Sequence, residues 1–301
     1  MTPVASLLAL IRLVHPFPSL LCASATAVIA ALAGGSVETV LRLGVAMLGI
    51  QVSIGALNDL VDAPLDAEQK PRKPIPSGLV TRRAAGAVTV AGGGVGIALS
   101  AVSGAPTATI ALAGLGLGYA YDLRLARTAL SWLPLSLALP SLPIHAWLGA
   151  AGVVPTGLLT LVPVGILGGA GLAIANGLVD IERDARGGRQ AVAVGLGRRA
   201  AWVAQTLALA IAAALALLIA PTVPVAAPNA GGIDLEVLRA VRVAGIWLGI
   251  ALLAAGATVL ASRRASVRER GWELEAIGVA SLGLGWLAGT AGAVAGGGAS
   301  A

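Results

Sequence analysis

Two stretches of this chain, residues 84–121 and 128–179, contain no Asp, Glu, Lys or Arg. A run of about 20 apolar residues is enough to cross a bilayer core, so each stretch is long enough for two crossings. Ser103-Gly104-Ala105-Pro106 divides the first, and the segment from Gly152 to Pro155 divides the second. By the same reading, residues 13–37 hold one span, and a second begins near Glu38 and ends at 58. Three more lie over 200–220, 243–262 and 276–296. The expectation is therefore an all-α membrane protein with nine transmembrane helices in a single domain over residues 1–301. Composition agrees: 57% of residues are hydrophobic and 11% charged, with a mean hydropathy of +0.91. A soluble domain carries about 25% charged residues.

The basic residues fix an orientation. Of twenty Lys and Arg residues, only Arg42, Arg239 and Arg242 fall near one set of span ends. Arg12 precedes the first span, and the remainder follow the second, fourth, sixth and eighth spans. Under the positive-inside rule this alternation puts the N-terminus in the cytoplasm and the C-terminus outside. The net charge of +6 then follows from topology and anion binding, and gives no reason to expect a nucleic-acid partner. A lone cysteine, Cys22, excludes an intrachain disulfide and offers no metal-ligand spacing. Residues 4–14 are apolar but short and are set off by Pro16 and Pro18; they read as a short amphipathic helix in the membrane interface, with no cleavable signal peptide. The segment 221–238 reads as an irregular outer loop, and the Gly/Ala/Ser tail after Gly296 as disordered.

Against this apolar background, one polar pattern occurs twice. Asn58, Asp62 and Asp66 lie in NDLVDAPLD, and Asn176, Asp180 and Asp184 lie in NGLVDIERD. A step of four residues advances only about 40° around a helix, so each trio shares a face. Both trios stand where a long apolar segment meets a cytoplasmic loop. Acids so close to a membrane point to function. Mg²⁺ takes oxygen ligands, often one or two carboxylates completed by water and substrate phosphate, and neighbouring Arg and Lys grip the remaining phosphate oxygens. Lys70, Arg72 and Lys73 follow the first trio, while Arg183, Arg186 and Arg189 interleave with or follow the second. Two opposed acidic faces are thus expected to hold Mg²⁺ and a diphosphate. The active-site loops are expected at about 62–82, 121–130 and 180–199. Pro64 predicts that the second span kinks or ends near Asp62, leaving Asp66 on the loop. The second motif has no proline, and Gly187-Gly188 supplies its stop. His145 and the tryptophans Trp132, Trp147, Trp247 and Trp286 read as packing or interface residues, and Glu273 and Glu275 as boundary residues before the last span.

Three segments resemble the UbiA superfamily of intramembrane prenyltransferases. NDLVDAPLDAEQKPRKPIPSG (58–78) resembles the family's NDxxDxxxD signature and its basic, proline-containing continuation. AYDLRLARTALSWLP (120–134) resembles the tyrosine-bearing segment after the fourth span, and NGLVDIERDARGGRQAVAVGLG (176–197) the second DxxxD signature. The resemblance covers nearly the whole chain. It implies helices around a central cavity, and Mg²⁺-dependent ionisation of an allylic prenyl diphosphate whose prenyl group passes to an aromatic or lipid acceptor. It also implies that Asp62, Asp66, Asp180 and Asp184 are catalytic carboxylates, with Asn58 and Asn176 completing the metal-binding set. Arg72, Lys73, Tyr121 and Arg127 would contact the diphosphate. The chain departs from the family pattern at Lys73, where many members have Arg, and at Asp122, where serine is common; Arg124 and Arg127 both remain candidates for the middle-loop base.

Two other functions fit parts of the pattern. Phosphoribosyl transfer to a polyprenyl phosphate also needs Mg²⁺ and acidic motifs in this fold. A transporter would instead place charge near the bilayer midplane, whereas here charge is concentrated at one face.

Overall fold

The computed structural model describes residues 3–219 and 235–297. The outer loop expected over 221–238 lies almost wholly outside the described residues, as does the end of the Gly/Ala/Ser tail. Every regular element described is helical. The chain opens with α1 (Pro3–Leu13), α2 (Pro16–Leu32) and α3 (Val37–Gln69). It continues through α4 (Arg82–Ala101), α5 (Ala105–Leu123), a 3₁₀ turn (Leu125–Arg127), α6 (Leu133–Ala151) and the single-turn α7 (Thr156–Leu159). There follow α8 (Val162–Val179), the short α9 (Ile181–Arg186) and α10 (Val192–Leu196), then α11 (Arg198–Leu218), α12 (Leu235–Leu260) and α13 (Ala265–Gly297). Among the described residues nine helices have 17 residues or more, one over each expected segment. Six helical segments are long and apolar enough to cross a membrane, and α2 is apolar but shorter.

Local chemistry explains where these helices begin. Ser36 and Thr81 cap α3 and α4, their hydroxyls accepting the backbone N–H of Thr39 and Ala84 at 3.3 and 3.1 Å. Proline occupies the first turn of α2, α5, α6 and α8, where the missing N–H costs nothing. Neighbouring helices approach closely through glycine. A Cβ on Gly92 would stand 2.8 Å from the Gly49 carbonyl, and one on Gly96 would stand 2.9 Å from the Ala46 carbonyl. α4 therefore lies directly against the backbone of α3, as small residues permit in membrane bundles.

Sequence-adjacent helices pack side by side, and α13 closes the bundle against α2. Phe17 of α2 meets Trp272 of α13 edge-on, with ring centroids 5.6 Å apart. The largest apolar cluster draws on α2, α6, α8, α11, α12 and α13 and includes Trp147 and Trp286. Large aliphatic and aromatic side chains are left on the outside, among them Leu20, Val90, Leu112, Leu207 and Trp247. Hydrocarbon tails suit such a surface and water does not.

Three local expectations are corrected. α3 does not end near Asp62: it runs through Pro64 to Gln69, so Asp66 is helical and buried. The last turn is held because Asp66 faces Lys73 and because the Asp66 carbonyl accepts the N–H of Lys70 at 2.7 Å. The second motif is the one that breaks, with α8 ending at Val179 and α9 starting at Ile181. Glu275 is no boundary residue, being fully buried beside Gly256 of α12. His145 is packed as expected, with Nε2 3.0 Å from the Ser100 hydroxyl.

Candidate active site

The C-terminal end of α3 carries Asn58, Asp59, Asp62 and Asp66, and each has a partner. Asn58 Nδ2 donates to Asp122 Oδ1 at 2.9 Å, which ties α3 to the end of α5. Lys73 Nζ lies 2.7 Å from Asp59 Oδ1 and 2.8 Å from Asp66 Oδ2. His15 Nε2 reaches the same Asp59 oxygen at 3.1 Å. To do so, His15 adopts φ 47° and ψ 71°, the one left-handed non-glycine residue described. Asp62 Oδ1 accepts from Arg189 Nη2 at 2.7 Å and lies 3.5 Å from Arg127 Nη2.

The second motif meets the first across this mouth. Arg189 contacts Asp184 Oδ1 through Nη1 at 3.6 Å while its other terminal nitrogen holds Asp62. A single guanidinium thus joins one aspartate from each motif. Asp180 Oδ2 is paired with Lys70 Nζ at 3.0 Å and with Arg183 Nη1 at 2.7 Å; Lys70 belongs to the continuation of the first motif. The middle loop closes the third side, where Gln190 N donates to the Arg127 carbonyl and Val192 N to the Ser131 hydroxyl. Gly188, at φ +70°, turns the chain after α9 so that Arg189 points back to Asp62. Asn176 is exposed, with no side-chain hydrogen bond among the described residues. Tyr121 is half-buried beside Asp122, and Arg72 is exposed.

The electrostatics follow from this crowding. Burial draws the Lys73 ammonium down, but Asp59 and Asp66 outweigh it and hold its pKa above the usual lysine range. Arg189 is likewise opposed by burial and raised by Asp62 and Asp184. Burial lifts the Asp184 carboxyl above its ordinary value, against the pull of Arg189. Two cavities flank the mouth. One, of about 430 Å³, is lined by Arg12, His15, Asp59, Lys70, Arg72 and Lys73. The other, of about 280 Å³, lies between Pro64, Arg127 and Arg189.

The donor set suits a hard divalent cation. It consists of carboxylate and amide oxygens, and among the described residues no three acids or imidazoles form a ready-made cage. Mg²⁺ does not require such a cage, because water and phosphate complete its octahedron. Asp122 Oδ2 is buried without a hydrogen-bond partner, and Asp66 Oδ2 meets only Lys73. Asp122 Oδ2 is therefore the oxygen left without a partner, while Asp66 Oδ2 is held by the Lys73 ammonium.

Asp59 and Asp122 are not among the site residues that the sequence predicts, and Arg189 enters there only as a neighbouring base of the second motif. Asp59 is visible there as the second letter of the NDxxDxxxD signature, and Asp122 as a departure from serine. Arg189 is expected there only as one of the bases that follow the second trio, and nothing local says that it joins both motifs.

The model of the UbiA prenyltransferase family matches residues 19–258. No curated protein matches the chain in sequence. Solved structures share the fold at low identity. An apo UbiA homologue from Aeropyrum pernix K1 is 20% identical, with a TM-score of 0.69 over 89% of this chain and 96% of that one. A UbiA homologue from Archaeoglobus fulgidus bound to DMAPP and Mg²⁺ is 18% identical, with a TM-score of 0.67 over 91% and 97%. A digeranylgeranylglyceryl phosphate synthase is 17% identical, with a TM-score of 0.63 over 94% and 98%.

Proposed function

Because the chain belongs to the UbiA prenyltransferase family, we propose that it transfers a prenyl group from an allylic prenyl diphosphate to an aromatic or lipid acceptor, with Mg²⁺ as cofactor. One observation carries this reading: Arg189 contacts Asp62 and Asp184 together, so both aspartate motifs face a single mouth. The A. fulgidus homologue with DMAPP and Mg²⁺ supports the choice of donor and cation.

In this reading Asp62, Asp66, Asp180 and Asp184 hold the metal–diphosphate complex, with Asn58 and Asn176 completing the set. Mg²⁺, when bound, offsets the negative charge that builds on the diphosphate oxygens as the allylic C–O bond breaks. Arg72, Lys73 and Arg127 grip the phosphate oxygens, Arg in a fork and Lys as a point charge, and Tyr121 assists from the middle loop. The bonding pair leaves with the diphosphate and the prenyl carbon is left cationic. The acceptor then supplies an electron pair to that carbon and loses a proton. The apolar bundle beneath the mouth keeps water from the cation, which would otherwise be quenched to an alcohol.

The test uses membranes containing the protein, labelled prenyl diphosphates and Mg²⁺, with the lipid product identified by mass. Asp62→Ala and Asp180→Ala should each lower transfer more than about 100-fold, while both variants still insert. Transfer at the wild-type rate by either variant would remove these carboxylates from the mechanism.

A further inference from the structure

The break at Asp180 needs a cause, because no proline or glycine adjoins it. In an uninterrupted helix the Val179 carbonyl would accept the N–H of Arg183. Instead the N–H groups of Arg183 and Asp184 both turn to the Asp180 carbonyl, at 2.8 and 2.9 Å. Asp180 itself takes φ −107° and ψ 12°, off the helical geometry. The orphaned Val179 carbonyl is satisfied from another helix: Arg268 of α13 donates Nη2 to it at 2.9 Å. The same nitrogen holds the Glu182 carboxylate within the first turn of α9. Arg268 Nη1 donates to the carbonyls of Arg263 and Ser262 at 2.9 and 3.3 Å, in the turn between α12 and α13. Arg198 donates to the Ala261 and Ser262 carbonyls of that turn as well, anchoring it to α11. Arg268 is 0% exposed, although it stands in a segment whose charges otherwise follow membrane topology.

We propose that Arg268 is a positioning residue for the second aspartate motif, fixing the helix break that presents Asp180 and Asp184 to the shared mouth. The planar guanidinium suits this role, because Nη2 meets the carbonyl before Asp180 and the carboxylate after it while Nη1 fixes the same side chain to the α12–α13 turn. Lysine has one nitrogen and cannot hold the Asp180 break and the α12–α13 turn together with the same geometry. The inference rests on the metal–diphosphate reading of the mouth, since its effect is on how well that complex is held.

The experiment compares Arg268→Lys and Glu182→Gln with wild type in detergent. Two quantities are read: the Mg²⁺ concentration that half-saturates prenyl transfer, and the rise in thermal midpoint produced by Mg²⁺ with inorganic pyrophosphate. Groups that orient metal ligands typically change metal affinity by about 10–100-fold. Arg268→Lys should raise half-saturating Mg²⁺ by about that factor and shrink the pyrophosphate-dependent thermal shift, with a smaller change of kcat at saturating Mg²⁺. Glu182→Gln keeps the Val179 contact and should move both readings the same way, by about threefold to tenfold. A purely structural arginine would lower the midpoint without Mg²⁺ and leave the Mg²⁺ dependence alone; that result overturns the proposal. Should Arg268→Lys fail to insert, Glu182→Gln decides by the same criterion, an unchanged Mg²⁺ dependence counting against it. Should wild type show the thermal shift but transfer no prenyl group, the donor assignment fails while the positioning role is still read from the shift.

Discussion

Arg189 is the residue on which the two halves of the site depend, and its surroundings set what its loss would do. It is mostly buried and stands between Asp62 and Asp184, which would repel each other without it. Removing one partner of a fully buried ion pair costs about 3–5 kcal/mol; at a mouth open to water the loss should be nearer about 1–3 kcal/mol. Arg189→Ala should therefore lower the thermal midpoint in detergent without Mg²⁺. A divalent cation can replace the missing charge, so adding Mg²⁺ should restore more of the midpoint in the variant than it adds in wild type. Equal Mg²⁺-dependent shifts in both would show that Arg189 and the cation do not share those carboxylates. Lys73 presents a related case, with one ammonium serving both Asp66, within the proposed metal-binding set, and Asp59, outside it. Were Asp66 to engage a cation as proposed, Asp59 would keep the lysine paired.

At the scale of elements, the sequence places the helices well and the helix ends poorly. Long uncharged runs are local signals, and the helices they announce are present, with Ser36, Thr81 and first-turn prolines setting where the helices start. The two motif junctions mislead in opposite senses because both are decided by side chains outside the helix concerned. Pro64 argues for an end to α3, yet the helix continues because Asp66 is drawn in by Lys73. Nothing local argues for a break at Asp180, where the deciding group, Arg268, lies 89 residues from Val179. Pro64 still exacts a local penalty, since it cannot donate to the Leu60 carbonyl and its ring crowds the preceding turn. Because Pro64 is exposed, Pro64→Ala removes little packing. It should raise stability by about 1–3 kcal/mol, below the full helix-interior penalty. The same change restores the backbone donor lost between Asp62 and Asp66 and can shift the two carboxylates relative to one another, so kcat/KM should fall while the thermal midpoint rises. A variant gaining stability with undiminished kcat/KM would show that Pro64 does not matter to the spacing of the site.

For the whole molecule, the charge pattern and the bundle have to agree on which side the mouth faces. The aspartate motifs, Lys70, Lys73, Arg127, Arg189 and the α12–α13 turn with Arg263 and Arg264 all gather at one end of the bundle. That end carries most of the basic residues, which the positive-inside rule assigns to the cytoplasm. Arg42 lies toward the opposite end, where it donates to the Leu99 carbonyl and the Ser103 hydroxyl; pairing with polar groups there makes its location tolerable without reversing the bias. Nine crossings, an odd number, would put the two termini on opposite sides. A phosphatase fused after α13, active only outside the cytoplasm, should be active, and a green fluorescent reporter at the same point should be dark. A phosphatase fused in the 70–81 loop should be inactive. Activity at both fusion points would put the mouth on the outer face, away from a cytoplasmic supply of prenyl diphosphate, whereas inactivity at both would mean an even number of crossings. The second outcome requires one of the seven long helices after the mouth not to cross, and of these α5 and α13 are not among the six segments long and apolar enough to span a bilayer.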